Sequence, residues 1–524
     1  MSSARSPWEL FQQSCDRYAS SPMLIYNDQT QSYEEIHRKV QAFAELIRPW
    51  SFRMGGVYLP NSPAFLIAML GLKSEGKVFV SLSYQFKGDA LFELMDYADV
   101  ELLVTDTKGW ETIQPRAEEG NLRVVLELLP DESFRVHELP NKARLLPDIG
   151  EDVFGICFTS GSTARPKGII LSNSAVAGNA VAIADYLDYG VQERIIIPRS
   201  LAQSSPIAGD ALTAISRGGA IILMNNVFHP AIFLKAVQEY QAEQFFIVRT
   251  MLQQILDYPN RHAYDVSSVK RILMGGMINP IRIFQDAASA FPNARMYNAY
   301  GASEAVARVT FAPHEEATQM PWVIGKPLTG CSIRILREDG TEAGPGETGE
   351  IYIQSEYLMD GYYKQEQATR EALTPQGFRV KDVGYQDHEG RYFVLGRSDD
   401  LINQGGSKVY PTDIEEVLMR HAAVCEALVL GVEDAKLGQR IVAFVSLKDG
   451  APSDRSDLNR WCSLQLEDRK VPKEIHIVDA IPRNTIGKIN RKEVRALFQD
   501  RLEVAASTNK TVHPLQGGDS HESK

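Results

Sequence analysis

Between Phe158 and Gly168 the chain reads FTSGSTARPKG. Four hydroxyls (Thr159, Ser160, Ser162, Thr163), a flexible Gly161 and a lysine, Lys167, fall within nine residues. Hydroxyls and exposed backbone N–H groups can wrap phosphate oxygens, and a lysine adds a point charge. The order is not that of a Walker loop. Pro166 stands where the second glycine belongs, and Gly168 follows Lys167 where a Mg²⁺-binding Ser or Thr belongs. The bland alternative is a solvated Ser/Thr turn.

The elements around this loop alternate. An apolar run, Val153 to Phe158, enters it and Ile169 to Leu171 leaves it, as two strands would. Ala44 to Arg48 closes a helix, Gly56 to Leu59 and Val78 to Leu82 read as strands, and Phe65 to Leu72 and Ala90 to Tyr97 read as helices. That rhythm predicts an α/β architecture. From Gly325 to Gly361 glycine and proline become frequent and Glu350 to Gln354 has a strand pattern, which predicts a small β-rich subdomain. After Gly396-Arg397 another unit begins. Thr412 to Glu415 has the T-x-x-E form of a capping box ahead of a helix, and Ala427 to Val432 and Ile441 to Leu447 read as strands. The polar segment Glu503 to Lys524 predicts a disordered tail. The domains expected are therefore 1–395, 396–500 and a tail at 501–524.

Composition narrows the function. With 44% hydrophobic and 23% charged residues the chain has ordinary globular usage, and a net charge of −12 disfavours a nucleic-acid polymer as partner. The segment around Lys488 is nonetheless locally basic, with Arg483, Arg491, Lys492 and Arg495, so a nucleotide remains compatible. Phe65 to Leu72 falls far short of the ~20 residues that span a bilayer, and Met1 to Trp8 does not have the form of a secretory signal. Five scattered cysteines without a CxxC, and ten histidines without paired spacing, argue against disulfides or zinc and for a reducing cytoplasm.

Thr159 to Lys167 resembles the T-S-G-T/S-T-G-x-P-K signature of the adenylate-forming superfamily, which holds acyl-CoA synthetases, adenylation domains and luciferases, with Ala164 in place of the usual glycine. Further matches follow in family order: Tyr300-Gly301-Ala302-Ser303-Glu304 for Y-G-x-T-E, Gly349-Glu350 and Gly361-Tyr362 for G-E-L…G-Y, Asp382 for the last residue of T-G-D, the stretch Gly396 to Pro411 for the hinge, and Pro482 to Lys488 for P-R-T-x-x-G-K. Val380 and Lys381 replace the Thr and Gly of T-G-D, which puts the local geometry there in question. The resemblance covers roughly residues 30 to 498 and implies a large N-terminal domain of two α/β sheet subdomains plus a small β subdomain, followed by a small mobile α+β domain.

The resemblance also implies roles. ATP would be held by Thr159, Ser160, Gly161, Ser162, Thr163 and Lys167 at its phosphates, by Gly276, Tyr300, Gly301 and Ser303 around the adenine and phosphates, and by Asp382 and Arg397. Mg²⁺ would sit on Glu304 with Thr159 nearby, in keeping with the preference of a hard cation for carboxylate oxygen. Lys488 would be the catalytic lysine, Asp399 the hinge, and Gly406 the glycine beside the pantetheine tunnel.

Gln203 and Gly275 would border the acyl pocket, Gln203 standing where many acid ligases carry His. No Asp precedes Asp210 in that region to pair an α-amine, which disfavours an amino-acid substrate. Arg199 and Arg249 could meet a second carboxylate, although a solvent-facing position is the commoner fate. The implied reaction is ATP-dependent conversion of a small carboxylic acid to an acyl-adenylate. A thioester with CoA follows, or alternatively with the phosphopantetheine of an acyl or peptidyl carrier protein. The near miss of Gly301 to Ala305 to a serine-hydrolase elbow leaves the 159–167 loop and Lys488 unexplained.

Overall fold

The computed structural model describes residues 6–140, 144–159, 166–225, 227–405, 407–434, 436–448, 450–482 and 491–497. It divides into two compact units, Met1–Val394 and Leu395–Lys524.

The first unit is built on two large sheets. In one, six strands run parallel: Pro22–Tyr26, Ala220–Leu223, Arg194–Ile197, Gln244–Ile247, Arg271–Gly275 and Arg295–Tyr300. Beyond Arg295–Tyr300 the pairing turns antiparallel, and strands from Thr310–Ala312 to Tyr392–Arg397 extend this sheet as the glycine-rich β subdomain. The other sheet has a parallel centre (Val78–Ser81, Met54–Tyr58, Leu102–Asp106, Val124–Leu128). The α/β expectation is met, with both sheets mixed rather than purely parallel.

Helices fill the space between them. Pro63–Ser74 is apolar all round and buried from Phe65 to Lys73, as a helix covered on every side must be. Tyr33–Ile47 starts at a capping box in which Ser32 and Glu35 satisfy each other's backbone N–H groups. One core cluster joins residues of both sheets, among them Val57, Val104, Ile195 and Leu273.

Strands Val153–Thr159 and Lys167–Ser172 form an antiparallel hairpin, with Thr159 opposite Lys167 and Phe158 opposite Gly168. The hairpin's outer edge is covered by the short strand Gly361–Tyr362, which pairs with Ile169 and Ile170. The residues that follow stitch this segment down. Tyr363 Oη donates to Asp99 Oδ2 at 2.6 Å, and Lys364 Nζ meets the same oxygen at 2.6 Å.

The second unit is α+β. Long antiparallel strands Val424–Asp434 and Gly438–Leu447 carry helices Pro411–Met419 and Arg455–Gln465 over a core of Ile414, Leu418, Val429, Ile441, Ala443 and Leu458. A helix does follow the T-x-x-E motif, but the capping box is not formed. Tyr410 is the N-cap residue and lies before Pro411. Thr412 is buried inside the first turn and donates to Leu395 O instead, while Glu415 Oε1 accepts from Val429 N at 2.8 Å. Among the described residues no helix is long and apolar enough to cross a membrane.

Candidate functional site

Four parallel neighbours, Arg194–Ile197, Gln244–Ile247, Arg271–Gly275 and Arg295–Tyr300, end along one edge of their sheet. The carboxyl ends of parallel strands are where α/β sheets bind ligands, because the loops that leave them diverge to helices on opposite faces. Here those ends lead into Arg199 to Gln203, Arg249, Gly275-Gly276 and Tyr300 to Glu304. Gln203 is exposed ahead of the short helical turn Ser204–Pro206. Gly275 is a close-packing glycine: a Cβ there would run into Ala299 O and lie 3.1 Å from Phe246 Cζ.

Tyr300 and Asp382 come together. Tyr300 Oη donates to Asp382 Oδ2 at 2.6 Å, although the two residues are 82 positions apart. The strand Gly377–Gln386 supplies Asp382 through a β-bulge. Glu350 pairs with Val383 and Tyr352 with Arg379, so one residue, Ile351, faces the three from Val380 to Asp382. A bulge of this kind kinks its strand and re-aims a side chain. At its centre Lys381 adopts a left-handed φ of +65°. The turn retains the backbone shape of a glycine with a lysine in its place, at ~1–2 kcal/mol of local strain.

Glu304 lies in the 3₁₀ turn Ser303–Ala305, and its Oε1 accepts a hydrogen bond from Tyr362 Oη at 2.8 Å. Lys167 Nζ is 4.6 Å from the centre of the same Tyr362 ring. Glu304 and Lys167 therefore flank one tyrosine, at the base of the hairpin that carries the phosphate-type loop. Burial, then the nearby Glu304 carboxylate, push the Tyr362 hydroxyl well above the phenol range, so it remains a donor.

Among the described residues no group of three His, Cys, Asp or Glu side chains is placed to hold a metal. Glu304, held by Tyr362 Oη, offers one carboxylate, which suits Mg²⁺, an ion bound through one or two carboxylates with substrate phosphates and water completing its shell. Ser160, Gly161, Ser162, Thr163 and Ala164 lie outside the described residues, as do Gly406, Lys488 and the side chain of Thr159.

Arg199 is not solvent-facing. Arg199 and Arg308 are 8% and 1% exposed, and both bind Asp210, itself 1% exposed. Arg199 Nη2 is 2.6 Å from Oδ2 and Arg308 Nη2 is 2.9 Å from Oδ1. Both guanidiniums rest against the Phe246 ring, at 3.9 and 4.2 Å from its centre. Burial lowers the pKa of Arg199, and it pulls that of Arg308 down to about 10, with Asp210 opposing the shift in each. Arg249 is half-buried at the start of the helix Arg249–Asp257.

In the second unit Arg397 ends the strand Tyr392–Arg397 and Asp399 occupies the 3₁₀ turn Ser398–Asp400, both exposed. The adjacent Asp400 is the anchored one: Arg491 Nε is 3.2 Å from its Oδ2, and Arg491 Nη2 is 2.8 Å from Glu415 Oε1.

Sequence reasoning missed two residues here. Tyr362 reads as structural in a Gly-Tyr pair, and its only signal is that pair's place in the motif order. Arg308 stands as the one charged residue in the otherwise mostly apolar segment 305–312, four residues after Glu304.

A family model described as AMP-binding enzyme matches residues 11–363, and one described as AMP-binding enzyme C-terminal domain matches residues 413–488. The chain is 30% identical over 474 residues to a feruloyl-CoA synthase of Amycolatopsis sp, covering 89% of this chain and 94% of that one. It is 29% identical over 487 residues to a 2-succinylbenzoate–CoA ligase of Bacillus cereus, covering 90% and 94%. Among solved structures, o-succinylbenzoate CoA synthetase from Bacillus subtilis in complex with the acyl-adenylate intermediate OSB-AMP superposes with a TM-score of 0.79 at 25% identity, covering 94% of this chain and 98% of that one. The amide bond synthetase McbA from Marinactinospora thermotolerans shares the fold, with a TM-score of 0.82 at 23% identity over 94% of this chain and 100% of that one.

Proposed function

The chain belongs to the AMP-binding enzyme family, and from that premise we propose that it activates a carboxylic acid with ATP and passes the acyl group to the thiol of coenzyme A. The observation that carries this reading is the meeting of Tyr300 with Asp382, and of Glu304 with Tyr362 and Lys167, at the loop edge of the first unit. Relatives named as CoA ligases support CoA as the acceptor.

In this reading Tyr300 lies against adenine, with Gly276 and Gly301 bordering it. Asp382 and Arg397 take the ribose and nucleotide, and Ser303 is near the phosphates. Lys167 and the loop from Thr159 to Thr163 hold the β- and γ-phosphates. Glu304, with Thr159 as the second residue implied, would hold Mg²⁺, which when bound would supply charge neutralisation for those phosphates.

The acid is already ionised at neutral pH, so no general base is needed. Its carboxylate oxygen attacks the α-phosphorus; a P–O bond forms, and the bond to pyrophosphate breaks with its electron pair leaving on pyrophosphate. The barrier lies in bringing anions together, and fixed cations and positioning lower it. By motif position the lysine for this step is Lys488, whose role would be to neutralise charge on the carboxylate and the α-phosphate. A thiolate then attacks the acyl carbon and AMP leaves with the bonding pair. The domain boundary near residue 395, the hinge at Asp399 and the backbone at Gly406 serve this second step. Gln203 and Gly275 border the acyl chain. Both oxygens of Asp210 are engaged by arginines, which speaks against an α-amine there.

The test is ATP–pyrophosphate exchange across a panel of carboxylic acids, then thioester detection with CoA and with a phosphopantetheinylated carrier protein. Mg²⁺-dependent exchange with at least one acid, thioester with free CoA, and a loss of ~100-fold or more in Lys488→Ala are expected. Undiminished exchange in that variant would sink the role of the lysine. Thioester formed on the carrier protein alone would reassign the acceptor.

A further inference from the structure

The Arg199–Asp210–Arg308 cluster is out of balance. Two guanidiniums share one carboxylate, and among the described residues Asp210 is the acidic side chain that pairs with them. One positive charge is therefore left over where water is excluded, an arrangement that is costly unless something compensates it. The polar inventory is incomplete in the same place. Nε of both arginines and Oγ of Ser204 are buried with no hydrogen-bond partner among the described residues. Ser205 Oγ accepts from Arg308 Nη1 at 2.9 Å and from Arg199 Nη1 at 3.4 Å.

The fold is arranged to hold these cations. Asp210 sits in a π-helical turn, Ile207–Leu212, a wide and unfavourable winding that recurs at functional sites. Gly209 leaves the room that Arg308 fills, since a Cβ there would run into Nη1 and stand 2.7 Å from Cζ. Asn179 grips the Arg308 backbone from both sides, donating to its carbonyl at 2.8 Å and accepting from its N–H at 3.2 Å. The cluster also touches both loops that the acyl-adenylate reading uses. The shared Phe246 ring reaches within 3.1 Å of where a Gly275 Cβ would stand, and the backbone of Arg308, not its guanidinium, packs 2.9 Å from where a Gly301 Cβ would stand.

We infer that the acyl pocket is made for an acid carrying a second anionic group, a carboxylate or a sulfonate remote from the reacting carboxylate, with that remote anion received by Arg199 and Arg308. The inference rests on the carboxylate-activating reading above. The second anion neutralises the surplus charge, and a guanidinium offers planar paired donors to such a group. Asp210 holds the two forks in place and neutralises one of the two charges, leaving the other for the ligand.

The experiment is pyrophosphate exchange with matched pairs of acids that differ in the second anionic group: glutarate against its monomethyl ester, phthalate against benzoate, and 3-sulfopropanoate against propanoate. In the wild type the dianionic member of at least one pair is favoured ~10-fold or more in kcat/KM. In Arg308→Met and in Arg199→Met that preference, taken as the ratio of the two members of a pair, falls by ~10- to 100-fold, mainly through KM of the dianionic acid, with KM for ATP kept. Arg308→Lys restores part of the preference. Because the preference is a ratio within one protein sample, partial misfolding of a variant does not alter it. Exchange confined to uncharged-tail acids, or a dianion preference untouched in both Met variants, would overturn this inference and leave acid activation standing. Absence of exchange with every acid would overturn both.

Discussion

Lys73 offers a sharp test of how the first unit holds the hairpin Val153–Thr159 and Lys167–Ser172. Near the end of the buried helix Pro63–Ser74, its Nζ lies 2.8, 2.6 and 3.0 Å from the carbonyl oxygens of Lys77, Val153 and Phe154, so the ammonium can donate to all three and the neutral amine to two. Val153 and Phe154 begin the strand that runs up to Thr159, so one side chain ties helix to hairpin. Burial works against the ammonium, Asp152 partly offsets it, and the pKa is pulled from 10.5 down to about 7. Between those values the unfolded chain carries a proton that the folded chain has released. Stability therefore rises with pH through that window and falls as pH drops toward 7. Each pH unit is worth about 1.4 kcal/mol. Lys73→Met keeps a packed stem and removes the titration. Urea unfolding of both proteins, followed by tryptophan fluorescence from about pH 7.5 to about 9.5, should show the wild-type advantage climbing by ~3 kcal/mol. Parallel profiles would refute the reasoning, because they would mean that the three carbonyls keep the ammonium charged throughout.

Three other variants follow from the geometry. Tyr362→Phe removes the donor on Glu304 Oε1, and the Mg²⁺ concentration needed for half-maximal exchange should rise ~10-fold, read by Mg²⁺ titration at saturating ATP. Lys381→Gly relieves the left-handed backbone of the bulge. The thermal midpoint should shift upward by the equivalent of ~0.5–1 kcal/mol with KM for ATP held within about twofold, and an unfolding scan paired with an ATP titration checks both. Asp210→Asn leaves two buried guanidiniums without their counterion and should lower unfolding stability by ~3–5 kcal/mol in chemical denaturation.

The parts of the fold that were legible in the sequence are those whose signals are local. The hairpin around the 159–167 loop shows because two apolar runs bracket a polar one, and Phe65 to Leu72 shows because a helix buried on all sides must be apolar on all sides. Asp382 could be placed by motif order alone. Its hydrogen bond to Tyr300 depends on a bulge that exists only when Gly349–Ser355 and Gly377–Gln386 are in register. The Thr412 motif misled because Pro411 already starts the helix, which moves the hydroxyl from the cap into the first turn. Arg199 misled for a related reason. A single arginine is normally solvated, and nothing near it in the chain announces a carboxylate 11 residues on that also binds an arginine 98 residues beyond.

The covering of the hairpin by Gly361–Tyr362 bears on how the chain is made. Tyr363 meets Asp99 across 264 positions of sequence. During synthesis the strand Lys167–Ser172 remains an open sheet edge until residue 361 emerges, with unpaired N–H and C=O groups facing solvent. Closing so long a loop is slow compared with forming the helices inside it. The strand Lys167–Ser172 is therefore among the last in the first unit to acquire its final partner, and a ribosome-bound fragment ending before residue 361 would expose that edge to other chains.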